Sequence, residues 1–506
     1  MSHKILLIEP PFYRLFKDTY SLIDYPLSLG YLSGMIKKET TWKAKTYVAD
    51  FHPNQDKLDP LRVSYLATDG FHNYLNNLRD TLRPIWREVG SVISEYNPDI
   101  IGISVKSQNF PSTCIVAKLA KSINVNITVV AGGPHPTMVG ADVLRCPDID
   151  ICVKGEGEQT VVELLNAIGE QKELDAVKGI IYRKNGQIVE TGSRELIEDL
   201  DSICFPYENA LETLIDYHKY PLYAFGSIIA TRGCPYNCFF CGTRRMWGNK
   251  VRFRSTDNVV SEIKLRQKAG IHCIHFDDDT FGVNKHYINE LCNAIIAHCP
   301  DLKWSCEIHV NLVDDEVVSL MKKSGCCAIQ LGIESGDDEI LRKIRKNITA
   351  EKALSACKII KKHGIVLYTF FMLGFPWETE ESIKNTVSVM RKTRSDFVIY
   401  SIFTPYPGTE AFEYCRQNGL IDNDFDLSLY YHQSPANYFC PKIPQKRFRA
   451  LASKVERMVD KANFSKQNRL LRIIKLFSLS KFRKARRLGL RGSFKRVIGI
   501  LTGNAP

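Results

Sequence analysis

No run of about eighteen apolar residues interrupts the 506-residue chain, so a membrane-spanning helix is not expected. The opening MSHKILLIEPPF has neither the charged flank, the long apolar stretch nor the small-residue cleavage site of an export signal. An intracellular, cytoplasmic protein is therefore expected, and its sixteen cysteines read as thiols or metal ligands, not disulfides. Single cysteines in apolar surroundings, such as Cys114, Cys273, Cys292 and Cys357, read as small buried hydrophobes. The longest stretch without acidic side chains lies at the end of the sequence. Residues 461–506 hold thirteen Lys or Arg and no Asp or Glu, whereas the other 460 residues carry 55 basic and 56 acidic groups. The net charge of +12 thus belongs to the end of the chain.

What is present is an alternation of short apolar strands and helical patterns. KILLIEPPF (4–12), KTYVADFH (45–52), DIIGISV (99–105), ITVVAGG (127–133) and DICVKGEGE (150–158) alternate with helical stretches near 28–38, 74–95 and 112–122. This pattern predicts a Rossmann-like parallel sheet covered on both faces. Its ligand site is expected beyond the carboxyl ends of the strands, where Ser104, Gly132, Gly133, His135, Gly155 and Gly157 fall. A hairpin with an Asn185-Gly186 turn (179–192) and an acidic stretch follow as a boundary between units. From about 224 six further strand-then-helix units predict a full or partial barrel, with chemistry on the loops after its strands. The expected domains are 1–165, a linker with hairpin over 166–222, a barrel over 223–412, and a helical region over 413–506 ending in the basic amphipathic tail.

The strongest chemical signal is T-R-G-C-P-Y-N-C-F-F-C, which places Cys234, Cys238 and Cys241 on one loop after the first barrel strand. Three thiolates can each hold one iron of a cubane and leave the fourth iron open to a substrate atom. A zinc knuckle would need a fourth Cys or His nearby, and a chance cluster of core cysteines does not account for Gly233 and the flanking aromatics. Asp277, Asp278 and Asp279 could hold a divalent cation; a cap for the helix beginning near 284, or a hydrogen bond to cofactor or substrate, is the more economical reading.

The cysteine triplet, with Phe240 before its last member, resembles the signature of the radical S-adenosylmethionine superfamily. The segments HFDDDTFGVN (275–284), WSCEIHVN (304–311), GIESG (332–336), MLGFPWET (372–379) and TPYPGT (404–409) resemble that superfamily's later motifs in order and spacing. The resemblance covers roughly 224–410 and implies a 4Fe-4S cluster, S-adenosylmethionine, and a partial (β/α)6 barrel. It further implies that Phe240 covers the adenine, that Glu307, Glu334 and Ser335 meet the ribose and methionyl groups, and that Gly374 lets backbone approach the adenine. Packing of the loop, a strand-end ion pair and a turn are the alternative roles for these residues.

The N-terminal GISV, VVAGGPHPT and DICVKGEGE are similar to the cobalamin-binding domain that precedes many such enzymes. Small residues at the sheet edge suit a corrin and its nucleotide tail. Asp50-Phe51-His52 only partly follows the D-x-H-x-x-G pattern of cobalt-ligating domains, since Gln55 replaces the glycine, so a cobalt site without histidine is expected. The resemblance implies a 5′-deoxyadenosyl radical used for C-methylation of a small-molecule or lipid substrate, with a reductant such as flavodoxin or ferredoxin. Ring formation or carbon-skeleton rearrangement is the first alternative. Methylthiolation of tRNA is disfavoured because residues 1–203 offer only Cys114, Cys146 and Cys152 for a second cluster. A cobalamin-sensing module would leave the cysteine loop idle. The tail could lie on an anionic membrane surface, pack onto the barrel, or, least favoured, grip nucleic acid.

Overall fold

The computed structural model describes residues 3–58, 69–422 and 425–464, so most of the basic segment and its expected helix lie outside the described residues. Strands β1 (Lys4–Glu9), β2 (Lys43–Val48), β3 (Ile100–Ser104), β4 (Thr128–Gly132) and β5 (Ile151–Val153) pair in parallel in the order β2-β1-β3-β4-β5. β1, β3, β4 and β5 are short, mostly apolar runs, as expected of strands covered on both faces, whereas the edge strand β2 begins with exposed Lys43. The order in which successive strands are added reverses between β1 and β3, and an open parallel sheet of this order binds ligands in the crevice beyond that point.

Two details differ from the sequence expectation. The hairpin assigned to the linker, β6 (Ile180–Lys184) and β7 (Gln187–Glu190), extends the N-terminal sheet by antiparallel pairing of Cys152 with Ile181. Its Asn185 and Gly186 both have positive φ, as the tight two-residue turn requires, and it covers the otherwise open edge of the fully buried β5. The single helical pattern over 74–95 is two helices, Asp69–Arg79 and Pro84–Tyr96. Pro84 occupies the first helical turn and Arg83 before it is extended, since proline disfavours helical backbone in its predecessor.

The second sheet contains β8 (Ser227–Ile228), β9 (Cys273–Phe281), β10 (Lys303–His309), β11 (Cys326–Glu334), β12 (Val366–Leu373) and β13 (Phe397–Ile402), all parallel and in chain order. Helices Thr256–Lys268, Lys285–His298, Asp315–Lys323, Ala350–Lys362 and Glu380–Lys392 separate them. Each starts at a residue whose side chain accepts a backbone N–H of the first turn: Ser255, Asn284, Asp314, Thr349 and Thr379. These caps satisfy donors that a helix start otherwise leaves open, and they stop each strand-end loop at a defined residue. The core between sheet and helices is built around Phe276, Phe281 and Trp304, with Cys292 and Cys357 buried among them as expected. Cys273, in contrast, is exposed at the start of β9.

The free edge of β13 is closed by the helix Gln445–Phe464. Asn463 accepts from Val398 N at 3.0 Å and donates to Val398 O at 2.7 Å, imitating a neighbouring strand. No helix among the described residues is long and apolar enough to cross a membrane.

Candidate active site: the cysteine loop and the adjoining cavity

Beyond β8 the backbone turns through Gly233, whose φ of +105° admits glycine readily. A Cβ there would lie 2.3 Å from Lys250 O. Two of the three aspartates of β9 hold this turn. Asp278, buried and raised to about 7 by desolvation, accepts from Ala230 N at 2.8 Å and Thr231 Oγ1 at 2.7 Å. Asp279 accepts from Gly233 N at 2.9 Å, and Asp277 faces the adjoining cavity. The expected helix-capping role is instead filled by Asn284.

Further along the loop, Phe239 N donates to Ile344 O at 3.0 Å and Arg345 Nε donates to Asn237 O at 3.1 Å. Tyr236 stacks on His309, which burial and then the Lys346 charge hold neutral, at about 3. Cys234 and Cys238 are half-buried and Cys241 is exposed; Cys234 Sγ lies 3.1 Å from Thr280 Oγ1, and Cys241 Sγ lies 3.2 Å from Thr243 Oγ1. Burial raises the Cys234 and Cys238 thiols, the latter to about 11. Among the described residues no three His, Cys, Asp or Glu side chains converge as a single metal ion would need. Three cysteines on one pinned loop fit a cubane, in which each binds a different iron.

The residues expected around the cofactor have different surroundings. Phe240 is half-buried against Phe375, with ring centroids 6.0 Å apart. Glu307, on β10, is raised to about 7 by desolvation and then by the nearby Asp277 and Glu334. Glu334 ends β11 with φ +69° and accepts from the buried Lys346 Nζ at 2.9 Å. Ser335, expected at the ribose or methionyl group, is fully buried; its hydroxyl lies 3.1 Å from Thr386 Oγ1 and accepts from Asp337 N. Gly374, expected under the adenine, gives its N–H to Glu378, and a Cβ there would lie 2.9 Å from Phe448 of the helix Gln445–Phe464. The close approach that needs glycine is to that helix.

A cavity of about 320 Å³ opens at the carboxyl edge of the N-terminal sheet, walled by Leu7, Gly102, Ser104, Gly132, Gly133, Gly155 and Gly157. Thr231, Arg232, Trp247, Asp277 and Asp279 close it from the side of the cysteine loop. Side chains at the glycines would narrow it. Its mainly apolar wall and glycine rim fit the nucleotide tail and corrin edge of a cobalamin. Among the described residues no histidine lines it: His52 accepts from Asn54 N on its own loop, and the buried His135 is turned to Ser107 Oγ and Phe110, lowered to about 4 by desolvation. Sequence reasoning missed Arg232, Trp247, Glu156, Glu158 and Lys346. The charged pair inside Gly155-Glu156-Gly157-Glu158 and the arginine just before Gly233 were the available signals.

The chain is similar to known proteins over most of its length. The Radical SAM superfamily model matches residues 228–390 and the B12 binding domain model matches residues 65–165. An uncharacterised methyltransferase of Pyrococcus horikoshii is 33% identical over 420 residues, covering 83% of this chain and 84% of that protein. The anaerobic magnesium-protoporphyrin IX monomethyl ester cyclase of Rubrivivax gelatinosus is 28% identical over 362 residues, 69% of this chain and 63% of that one. In fold, the radical S-adenosylmethionine methyltransferase TsrM from Kitasatospora setae, solved with cobalamin and a 4Fe-4S cluster, aligns with a TM-score of 0.65 at 18% identity. That alignment covers 92% of this chain and 90% of that one. The chain belongs to the radical S-adenosylmethionine superfamily, with a B12-binding domain ahead of its cluster-binding domain.

Proposed function

We propose that this protein is a cobalamin-dependent radical S-adenosylmethionine methyltransferase that places a methyl group on an unactivated carbon of a small molecule. The carrying observation is that the cavity beside the B12-type sheet is closed by Arg232 and Thr231 of the cysteine loop, so the two cofactor sites share a wall. When bound, the cluster supplies the electron that cleaves S-adenosylmethionine and cobalamin supplies a transferable methyl group.

The chain's own part is positioning. Cys234, Cys238 and Cys241 would hold the cluster; Asp278, Asp279 and the Tyr236–His309 stack fix their loop. Glu307, with its proton poised near neutral pH, can hold or release a proton at its carboxylate. The Lys346–Glu334 pair offers one cation and one carboxylate to the amino-acid head of S-adenosylmethionine. The apolar wall keeps water from the reacting centre. The six parallel strands are read as a partial barrel, and the N-terminal domain as running through the hairpin to about residue 190. The thirteen basic side chains after 460 favour an anionic lipid surface, and with it a lipid-like substrate.

A second reading, radical ring formation, is favoured by the similarity to the Rubrivivax cyclase. Incubation with trideuteromethyl-labelled S-adenosylmethionine, a reductant and an anaerobic small-molecule extract separates the two. Methylation puts the label on a product carbon; ring closure consumes substrate without labelling it.

A further inference from the structure

We infer that Arg232 and Glu156 link the two cofactor sites, so that filling the cavity and holding the cluster stabilise one another. The inference rests on the reading of the cavity as the cobalamin site.

Arg232 stands two residues before Cys234. Its Nη1 donates to Glu156 Oε1 at 2.7 Å and its Nη2 donates to Glu158. Arg252, its register partner on the short ladder Thr231–Arg232 with Arg252–Phe253, donates through Nη1 to the other Glu156 oxygen at 2.8 Å. All four side chains are buried. Buried ion pairs add little net stability, because desolvation offsets the attraction. What a guanidinium fork on carboxylates does supply is a fixed geometry. Glu156 and Glu158 alternate with the cavity-lining Gly155 and Gly157, and Arg232 lines the opposite wall, so each partner of the pair borders the cavity directly.

The far end of the cysteine loop is held by the same domain. Gly242 follows Cys241, and a Cβ on it would lie 3.2 Å from Met138 Cε; a Cβ on Gly408 would lie 2.7 Å from Met138 O. Met138 belongs to the turn of helix Pro134–Val139 that leaves the glycine edge of β4. The loop is thus gripped before its first cysteine and after its last by segments that frame the cavity. A ligand that restrains those segments restrains the loop, and a coupling of this kind is reciprocal.

The test measures iron loss from the reconstituted full chain to a ferrous chelator, without and with hydroxocobalamin at a saturating concentration found for each variant by absorbance titration. In the native chain cobalamin is expected to slow iron loss about fivefold. In Glu156→Gln and in Arg232→Lys the ratio of the two rates is expected to fall toward one. A purely structural role would speed both rates alike and leave the ratio at its native value, which would overturn the inference. Should either variant fail to assemble a cluster, Arg252→Lys leaves both cavity walls in place and is expected to lower the ratio in the same way. Absence of cobalamin binding to the native chain would remove the reading of the cavity itself, whereas binding with no protection would remove only the link.

Discussion

Tyr236 lies flat against His309, with ring centroids 3.7 Å apart and planes 16° from parallel. The tyrosine sits between two of the three cysteines, and the histidine ends β10, with Nε2 3.2 Å from Lys346 O and Nδ1 accepting from Asn311 N at 3.2 Å. The cysteine loop therefore leans on a ring whose own orientation is fixed at both nitrogens. Replacing His309 by Leu is expected to cost about 1 kcal/mol of local stability. Iron release to a chelator should become several-fold faster, with the helical content measured by circular dichroism unchanged.

Gly233→Ala tests the backbone of the loop. The added methyl meets Lys250 O and the residue must hold a left-handed φ, a combination that costs about 2 kcal/mol or more. The expected outcome is loss of most cluster iron after reconstitution, read by iron assay and visible absorbance, in a protein that still binds cobalamin.

Gly132→Val tests the cavity from the other side. A Cβ at Gly132 meets only Val153 Cβ, at 3.6 Å, so the branched side chain is tolerated by the strand and its bulk enters the cavity. Cobalamin affinity should fall by about tenfold or more while cluster iron stays at the native level, corresponding to loss of about 1.4 kcal/mol or more of binding.

Glu378 governs a pH dependence. It is fully buried, its Oε1 has no hydrogen-bond partner, and desolvation pushes it from 4.5 up to about 8. The folded chain keeps a proton that the unfolded chain releases above about 4.5, so this group's contribution is fully present below that pH and is lost as pH rises through 8. Glu378→Gln, which keeps the shape and carries no titrating proton, should remove that part of the decline in melting temperature between pH 5 and pH 8. An unchanged slope would show that Glu378 ionises freely in the folded chain.

Much of this architecture was legible in the residues. The period of strands and helices placed both parallel sheets, because strands covered on two faces must be written as short apolar runs. The cysteine spacing placed the loop, and the glycines of VVAGG and KGEGE placed the cavity rim. What could not be read was direction and pairing across long separations. Ser335 and Gly374 sit in the expected motifs, yet Ser335 faces Thr386 and Gly374 faces Phe448, and neither partner is near in sequence. The same holds for the Arg232 contact with Glu156, 76 residues away. Pro84, a residue suited to a helix start, lies inside the stretch 74–95 whose apolar periodicity reads as one helix.

The most direct test of the account is anaerobic reconstitution of the full chain with iron, sulfide and cobalamin, followed by S-adenosylmethionine labelled in its methyl group and a reductant. The account predicts about four irons and one corrinoid per chain, label transferred to the corrinoid, and deoxyadenosine formed only while Cys234, Cys238 and Cys241 are all intact. A fully loaded protein that neither cleaves S-adenosylmethionine nor takes up its methyl group, or one that cleaves it equally well after Cys238→Ala, would contradict it.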